Sequence, residues 1–224
     1  MPVYFFYLMI MILIVGLPIT AFIFYNKAQV VTKLANQEQV KLSNFSDGDI
    51  GKVVGEVIMV GEPMIAPLSK RECAYYRVQV HEEKGGGNRR SWHLRIDEDK
   101  ASKYLLKENG QYIFVDDRNL KADIVEDVEL YSGFLNDATS ELKSYLKKHD
   151  FKSENLFRMN KSLKYTEAIL GLEEKVAVLG QGMWKDPEEL GFSEEYGKIL
   201  HIKAVKGSLY LSDNTEATVN FSSS

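Results

Sequence analysis

The sequence predicts a mainly β domain with one or two helices, preceded by a single transmembrane helix. Three observations carry that prediction. An uncharged apolar run extends from Val3 to Tyr25, short period-two segments recur between Gly51 and Leu211, and a helical period interrupts them around Leu142.

At 1.5 Å per residue the apolar run reaches about 34 Å as a helix, enough to cross a hydrocarbon core of about 30 Å with some tilt. Gly16 and Pro18 lie inside it, and a membrane helix tolerates the missing backbone hydrogen bond with a kink. Tyr4, Tyr7 and Tyr25 are placed to act as interface anchors. A cleaved signal peptide would show a basic start, a shorter apolar core and a small-x-small cleavage site, and this run shows none of them. Lys27 and Lys33 follow the run and no Lys or Arg precedes it. In a bacterial-type inner membrane that bias puts the C-terminal domain on the cytoplasmic side. The expected localisation is therefore a membrane, crossed once, with lipid as the partner of residues 3–25.

The remaining chain divides by composition. Residues 26–49 read as a polar juxtamembrane stalk, with Val30, Val31 and Leu34 at helical spacing and a break near Ser46, Asp47 and Gly48. Residues 50–213 are expected to form one β-rich domain, and residues 214–224 a flexible tail. A net charge of −4 argues against a surface built to hold nucleic-acid phosphate. Cys73 is the single cysteine, which excludes an intramolecular disulfide and any multi-cysteine zinc site.

Strands are predicted at Val53 to Val60, Ala74 to Val80, Trp92 to Ile96, Tyr112 to Val115 and Leu120 to Val125, then at Tyr165 to Leu170, Lys175 to Leu179, Ile199 to Val205 and Leu209 to Leu211. Strands of this length and spacing suit an OB-like barrel or a sandwich. Between the two sets, Leu142, Tyr145, Leu146 and His149 recur at helical spacing behind Asp137 as expected N-cap, with Glu141 early and Lys147 and Lys148 late.

One hairpin can be read residue by residue. A turn centred on Gly86 sets Tyr76 against Ile96, Val78 against Leu94 and Val80 against Trp92 on a core face. The other face then sets Arg77 against Arg95, Gln79 against His93 and His81 against Ser91. Two facing arginines repel, so a carboxylate such as Glu56 or Asp97 is expected between them. Arg77, Arg95 and His93 are the candidate binding residues on that face. The tip, with Arg89 and Arg90 beside Gly85-Gly86-Gly87, is a secondary contact for anionic headgroups or simply a loop closing the hairpin.

Catalytic chemistry has few carriers here. Cys73 with His81 or His93 is the one thiol–imidazole combination, and no local signature surrounds it. A packing role for Cys73 and ordinary polar roles for the histidines are the simpler account. His81 and His93 lack an evident third metal ligand, so no metal and no cofactor are expected. Gly180-Gln181-Gly182 lacks the third glycine and following helix of a dinucleotide loop. Tyr75, Trp92 and Tyr112 could stack on bases, but the acidic balance argues for core positions and for no nucleic-acid partner.

Several pieces in order resemble a known family. They are Gly51-Lys52-Val53-Val54-Gly55, Ala66-Pro67-Leu68-Ser69, Cys73-Ala74-Tyr75-Tyr76-Arg77, Asp116-Asp117, Leu142 with Leu146, Tyr165-Thr166-Glu167 and Val176-Ala177-Val178-Leu179-Gly180. Together they resemble the domain beside the RING finger in the mitochondrial ubiquitin ligases called GIDE, MULAN or MAPL, also known as the "beside a membrane" (BAM) domain. The resemblance implies a β-rich fold held next to a membrane. It departs at the C-terminus, because a RING needs eight Cys/His ligands and this chain has one cysteine and four histidines. The pattern is that of a short, bacterial-type member without the RING. The expected function is a non-catalytic interaction or scaffold module with a membrane-associated protein partner. The alternative implied by the resemblance is an enzyme or accessory subunit in a ubiquitin-ligase-like membrane pathway.

Overall fold

The computed structural model describes residues 28–85, 90–116, 118–133, 136–153 and 160–219. The apolar run at 3–25 and Arg89 lie outside these residues. Among the described residues no helix is long and apolar enough to cross a membrane.

A closed five-stranded barrel forms the base of the fold. Its strands are β1 (Ile50–Met59), β5 (Tyr104–Glu108), β6 (Gln111–Val115), β10 (Lys175–Lys185) and β11 (Ile199–Lys203). They meet in the cyclic order β1-β5-β6-β11-β10, and β1 closes the ring on β10 from Ile50↔Gln181 to Glu56↔Lys175. All neighbours are antiparallel except β6 and β11, which run parallel. Counted along the chain, the third strand thus pairs with the fifth and the first with the fourth, a Greek-key closure consistent with an OB-like barrel. Alternate residues point inward, so Val53, Val57, Leu106, Ile113, Val176, Val178, Leu200 and Ile202 share one apolar core. Two strands extend the barrel wall: β12 (Leu209–Ser212) pairs with β10, and β7 (Leu120–Asp123) pairs in parallel with β12.

A second sheet is inserted into the barrel connections. β2 (Met64–Ile65), β3 (Glu72–Lys84) and β4 (Ser91–Ala101) lie between β1 and β5 in the chain; β8 (Glu126–Ser132) and β9 (Leu163–Gly171) lie between β7 and β10. β3 is central, with β9 on one side and both β2 and β4 on the other. Its outer face is covered by α2 (Ser140–Lys148), whose Leu142, Tyr145 and Leu146 pack with Tyr76, Val78, Val80 and Ile96. The helix begins two residues later than expected. Thr139, rather than Asp137, is the N-cap and its side chain accepts from the Leu142 amide.

The segment read as a stalk lies against the barrel. Helix α1 (residues 28–35) buries Val30 and Leu34 against Val54 and Ala177, and Leu42 and Phe45 enter the barrel core. After β12, the short α3 (Thr215–Thr218) buries Ala217 in the same cluster as α1. The strands β2, β5 and β8 were not anticipated in the sequence. β2 has only two residues, and β8 shows little burial alternation, with Val128 half-buried and Leu130 and Tyr131 exposed.

The β3–β4 hairpin has a different register from the expected one. Tyr76 faces Lys100, Arg77 faces Asp99, Val78 faces Glu98 and Val80 faces Ile96. The pairing then shifts at a bulge, placing Leu94 opposite His81 and Trp92 opposite Glu83. β3 and β4 pair as far as Lys84 opposite Ser91, which displaces β4 along β3 from the expected register. The bulge moves Leu94 and Trp92 away from the core under α2. They are consequently 47% and 45% exposed.

Candidate functional site

A cleft of about 910 Å³ lies between the inner face of the second sheet and the barrel wall. One side is Tyr75, Arg77 and Gln79 of β3, Asp99 of β4, and Thr166 and Ala168 of β9. The other side is Phe114 and Val115 of β6, Leu120 and Ala122 of β7, His201 of β11 and Leu211 of β12. Strand alternation explains the lining. In β3 the even-numbered Tyr76, Val78 and Val80 pack under α2, so Tyr75, Arg77 and Gln79 point into the cleft.

Two ion pairs occupy the cleft. The Arg77 guanidinium donates to both Asp97 carboxylate oxygens, Nε at 2.8 Å and Nη2 at 2.7 Å. Asp97 is thus the anticipated carboxylate, but it does not stand between two arginines. That ion pair holds Asp97 below the ordinary carboxylate range. On the opposite wall, Asp116 accepts from the Arg118 side chain at Nε and Nη2 and from its backbone amide at 3.0 Å. These bonds outweigh burial and keep Asp116 well below its usual range. His201 is almost fully buried beside it, with Nε2 3.4 Å from Asp116 Oδ2. At that separation the contact is a long one that leaves Nε2 without a hydrogen-bond partner. Burial, aided by Lys203, pushes the His201 pKa down against the pull of Asp116. Lys103 closes one end, donating to the Gly191 carbonyl and lying 3.9 Å from the centre of the Phe192 ring.

The candidate residues named from sequence are dispersed. Arg77 lines the cleft. Arg95 does not meet it and instead donates from Nε to Glu82 at 2.7 Å. His93 sits near the hairpin end, 2.9 Å from the Ser91 hydroxyl, and Arg90 lies 3.7 Å from Glu83. His81 is half-buried with Nδ1 unpartnered, and its pKa is lowered first by burial and then by Lys164. His81 pairs with Leu94 and His93 with Glu82, so the two imidazoles are not cross-strand partners. Among the described residues no His/Cys/Asp/Glu group has the arrangement of a metal site. Cys73 is fully buried with Tyr76 and Val78 under α2, and burial, reinforced by Glu167, pushes its thiol up to about 11.

Sequence reasoning missed Lys103, Asp116 with Arg118, and His201 as members of one site. Asp116 was visible as part of an acidic pair closing a strand, and His201 as a lone polar residue inside an apolar strand. Their convergence depends on the parallel pairing of β6 with β11, Phe114 opposite His201, which no local pattern announces.

No protein-family model, no curated protein and no solved structure matches this chain.

Proposed function

We propose that this chain is a non-catalytic interaction module, anchored at a membrane by residues 3–25, that takes an extended segment of a partner protein into the cleft. One observation carries the reading. OB-like barrels bind ligands against their second and third strands, between the loops joining strands one to two and four to five. Here β5 and β6 are the second and third barrel strands, and Tyr104, Phe114 and Val115 from them line the cleft. The β2–β4 insertion fills the first of those loops and supplies Tyr75 and Arg77; Glu189 and Leu190 come from the second.

The lining favours a protein segment over a nucleic acid. Arg77, Lys103 and Arg118 are set against Asp99, Asp116, Glu126 and Glu189, so phosphates would meet more carboxylates than cations. Apolar and aromatic residues alternate with those charges, as in a groove that holds side chains and main chain together. The buried, high-pKa Cys73 thiol supports binding rather than thiol chemistry. The resemblance to the membrane-adjacent domain of the RING ligases supports the anchored part of the reading.

Ala122 is exposed, lines the cleft and stands on β7, the edge strand of the extended wall, so Ala122→Trp would obstruct the cleft without disturbing either core. Chemical cross-linking of the full-length protein in its own membrane, followed by mass spectrometry, should recover a discrete protein with wild type and lose it with Ala122→Trp. Equal recovery by both forms would refute the cleft as the binding site.

A further inference from the structure

The floor of the cleft holds a polar pair that the ion-pair network leaves incomplete. We propose that Asp116 and His201 form a subsite for a hydroxyl group, supplied by a hydroxyl-bearing side chain of the bound segment; this rests on the reading of the cleft as a protein-binding groove.

His201 points into the cleft from β11 with only 9% of its side chain exposed, and its Nε2 is without a hydrogen-bond partner. A buried polar atom left in this state is uncommon, and in a cleft wall it marks a position that a ligand atom can satisfy. Asp116 Oδ2 lies 3.4 Å from that nitrogen, and the Asp116 side chain is also only 9% exposed. The two atoms therefore offer one group a carboxylate acceptor and an imidazole nitrogen side by side.

The chemistry selects the group. Asp116 is ionised, since the Arg118 bonds hold it so, and it repels a carboxylate or a phosphate. Arg118 already occupies both oxygens, so the accepting capacity left on Asp116 suits the single proton of a hydroxyl better than an ammonium ion with three donors. A neutral hydroxyl fits both atoms, donating its proton to Oδ2 and accepting from Nε2–H. The neighbouring wall is aromatic. Phe114 lies 5.3 Å from the His201 ring centre, and Tyr75 and Tyr104 also line the cleft. A phenol can place its ring on that wall while its hydroxyl reaches the floor, so tyrosine is the side chain best suited.

The full-length protein, labelled with ¹⁵N in its four histidines and solubilised in mild detergent, allows a direct test. N-acetyltyrosinamide is titrated while the imidazole resonances are followed, with N-acetylphenylalaninamide and inorganic phosphate as the comparison probes. The expected result is a saturable shift of the His201 nitrogens with the tyrosine probe, at least five-fold weaker with the phenylalanine probe and absent with phosphate. Asp116→Asn should abolish the preference between the two amides. Equal response to both amides, a response to phosphate, or no response at His201 would each overturn the hydroxyl subsite. Partner loss on Ala122→Trp combined with a silent His201 would overturn this inference alone; a hydroxyl-selective shift without any cross-linked partner would instead overturn the protein-binding reading.

Discussion

The Glu167 carboxylate, fully buried on β9, accepts hydrogen bonds from the backbone amides of Leu68 at 2.7 Å and Ser69 at 2.9 Å. It fixes the turn that feeds β3 to a strand nearly a hundred residues later. A buried carboxylate serving two main-chain donors is a strong contact, and removing it leaves both amides without their acceptor. Glu167→Ala should lower stability by about 2–4 kcal/mol, and Glu167→Gln, which keeps one good acceptor, by about half that. Urea unfolding of the two variants checks the order.

Gly180 and Gly182 are explained by packing. A Cβ on Gly180 would lie 2.5 Å from Ile202 Cγ2 and 2.6 Å from the Lys203 carbonyl oxygen; one on Gly182 would lie 2.6 Å from the Phe45 ring and 2.8 Å from Leu200 Cδ1. These glycines let β10 close against β11 and the 42–45 segment. Gly180→Ala meets backbone as well as side chain, and should cost about 1–3 kcal/mol in thermal or denaturant unfolding.

Glu98 gives the fold an acid limit. Burial alone would raise its pKa, but hydrogen bonds from Tyr145, Tyr76 and His149, with Lys148 nearby, outweigh it and hold the carboxyl at about 2 against an ordinary 4.5. A depressed carboxyl stabilises the folded state above its unfolded pKa, and that contribution is lost as pH falls from about 4.5 toward 2. The loss should be about 2–3 kcal/mol across that window, and Glu98→Gln should flatten the profile.

Asp213 works in the opposite sense. Burial, with Glu174 and Asp127 nearby, raises its carboxyl to about 7, although the Val125 amide donates to it at 2.9 Å. A raised carboxyl makes folding less favourable as pH climbs from its unfolded value of 3.8 through 7, because the folded state resists ionisation. Asp213→Asn keeps an oxygen for Val125 and removes the charge. It should stabilise by about 1–3 kcal/mol at pH 8 and change little at pH 4, measured by denaturant unfolding at both values.

Cys73 should be inert in the folded protein. Its thiol is fully buried and pushed up to about 11, so an aromatic disulfide reagent at pH 7.5 should label it only at the rate of local or global unfolding. Cys73→Ser should leave partner capture unchanged. Rapid stoichiometric labelling of the native protein would contradict the packing account.

The mainly β architecture was legible because short apolar or alternating runs recur between turn residues. In β3 the alternation is clear from Tyr76 to Val80, and in β10 from Val176 to Val178 the run is apolar throughout, as expected for a strand buried on both faces. Hairpin register was not legible, since it depends on the length of the Gly85–Arg90 connection and on one bulge, neither of which the hydrophobic pattern encodes. Arg77 was singled out because the expected register set it opposite Arg95, a pairing the structure replaces with Asp99. The rest of the cleft was hidden, because it forms only when the β2–β4 insertion folds back over β6, β7 and β11, bringing Arg77 toward His201 across more than a hundred residues of sequence.

The most direct test of the interaction-module account is site-specific photo-cross-linking in cells. A photoreactive phenylalanine replaces Lys103, exposed at the end of the cleft, or Lys147, exposed on α2 away from it. The account predicts one discrete cross-linked protein from position 103 that is absent from position 147 and disappears when Ala122→Trp is added. Matching products from both positions, or a product at 103 that survives the filled cleft, would contradict it.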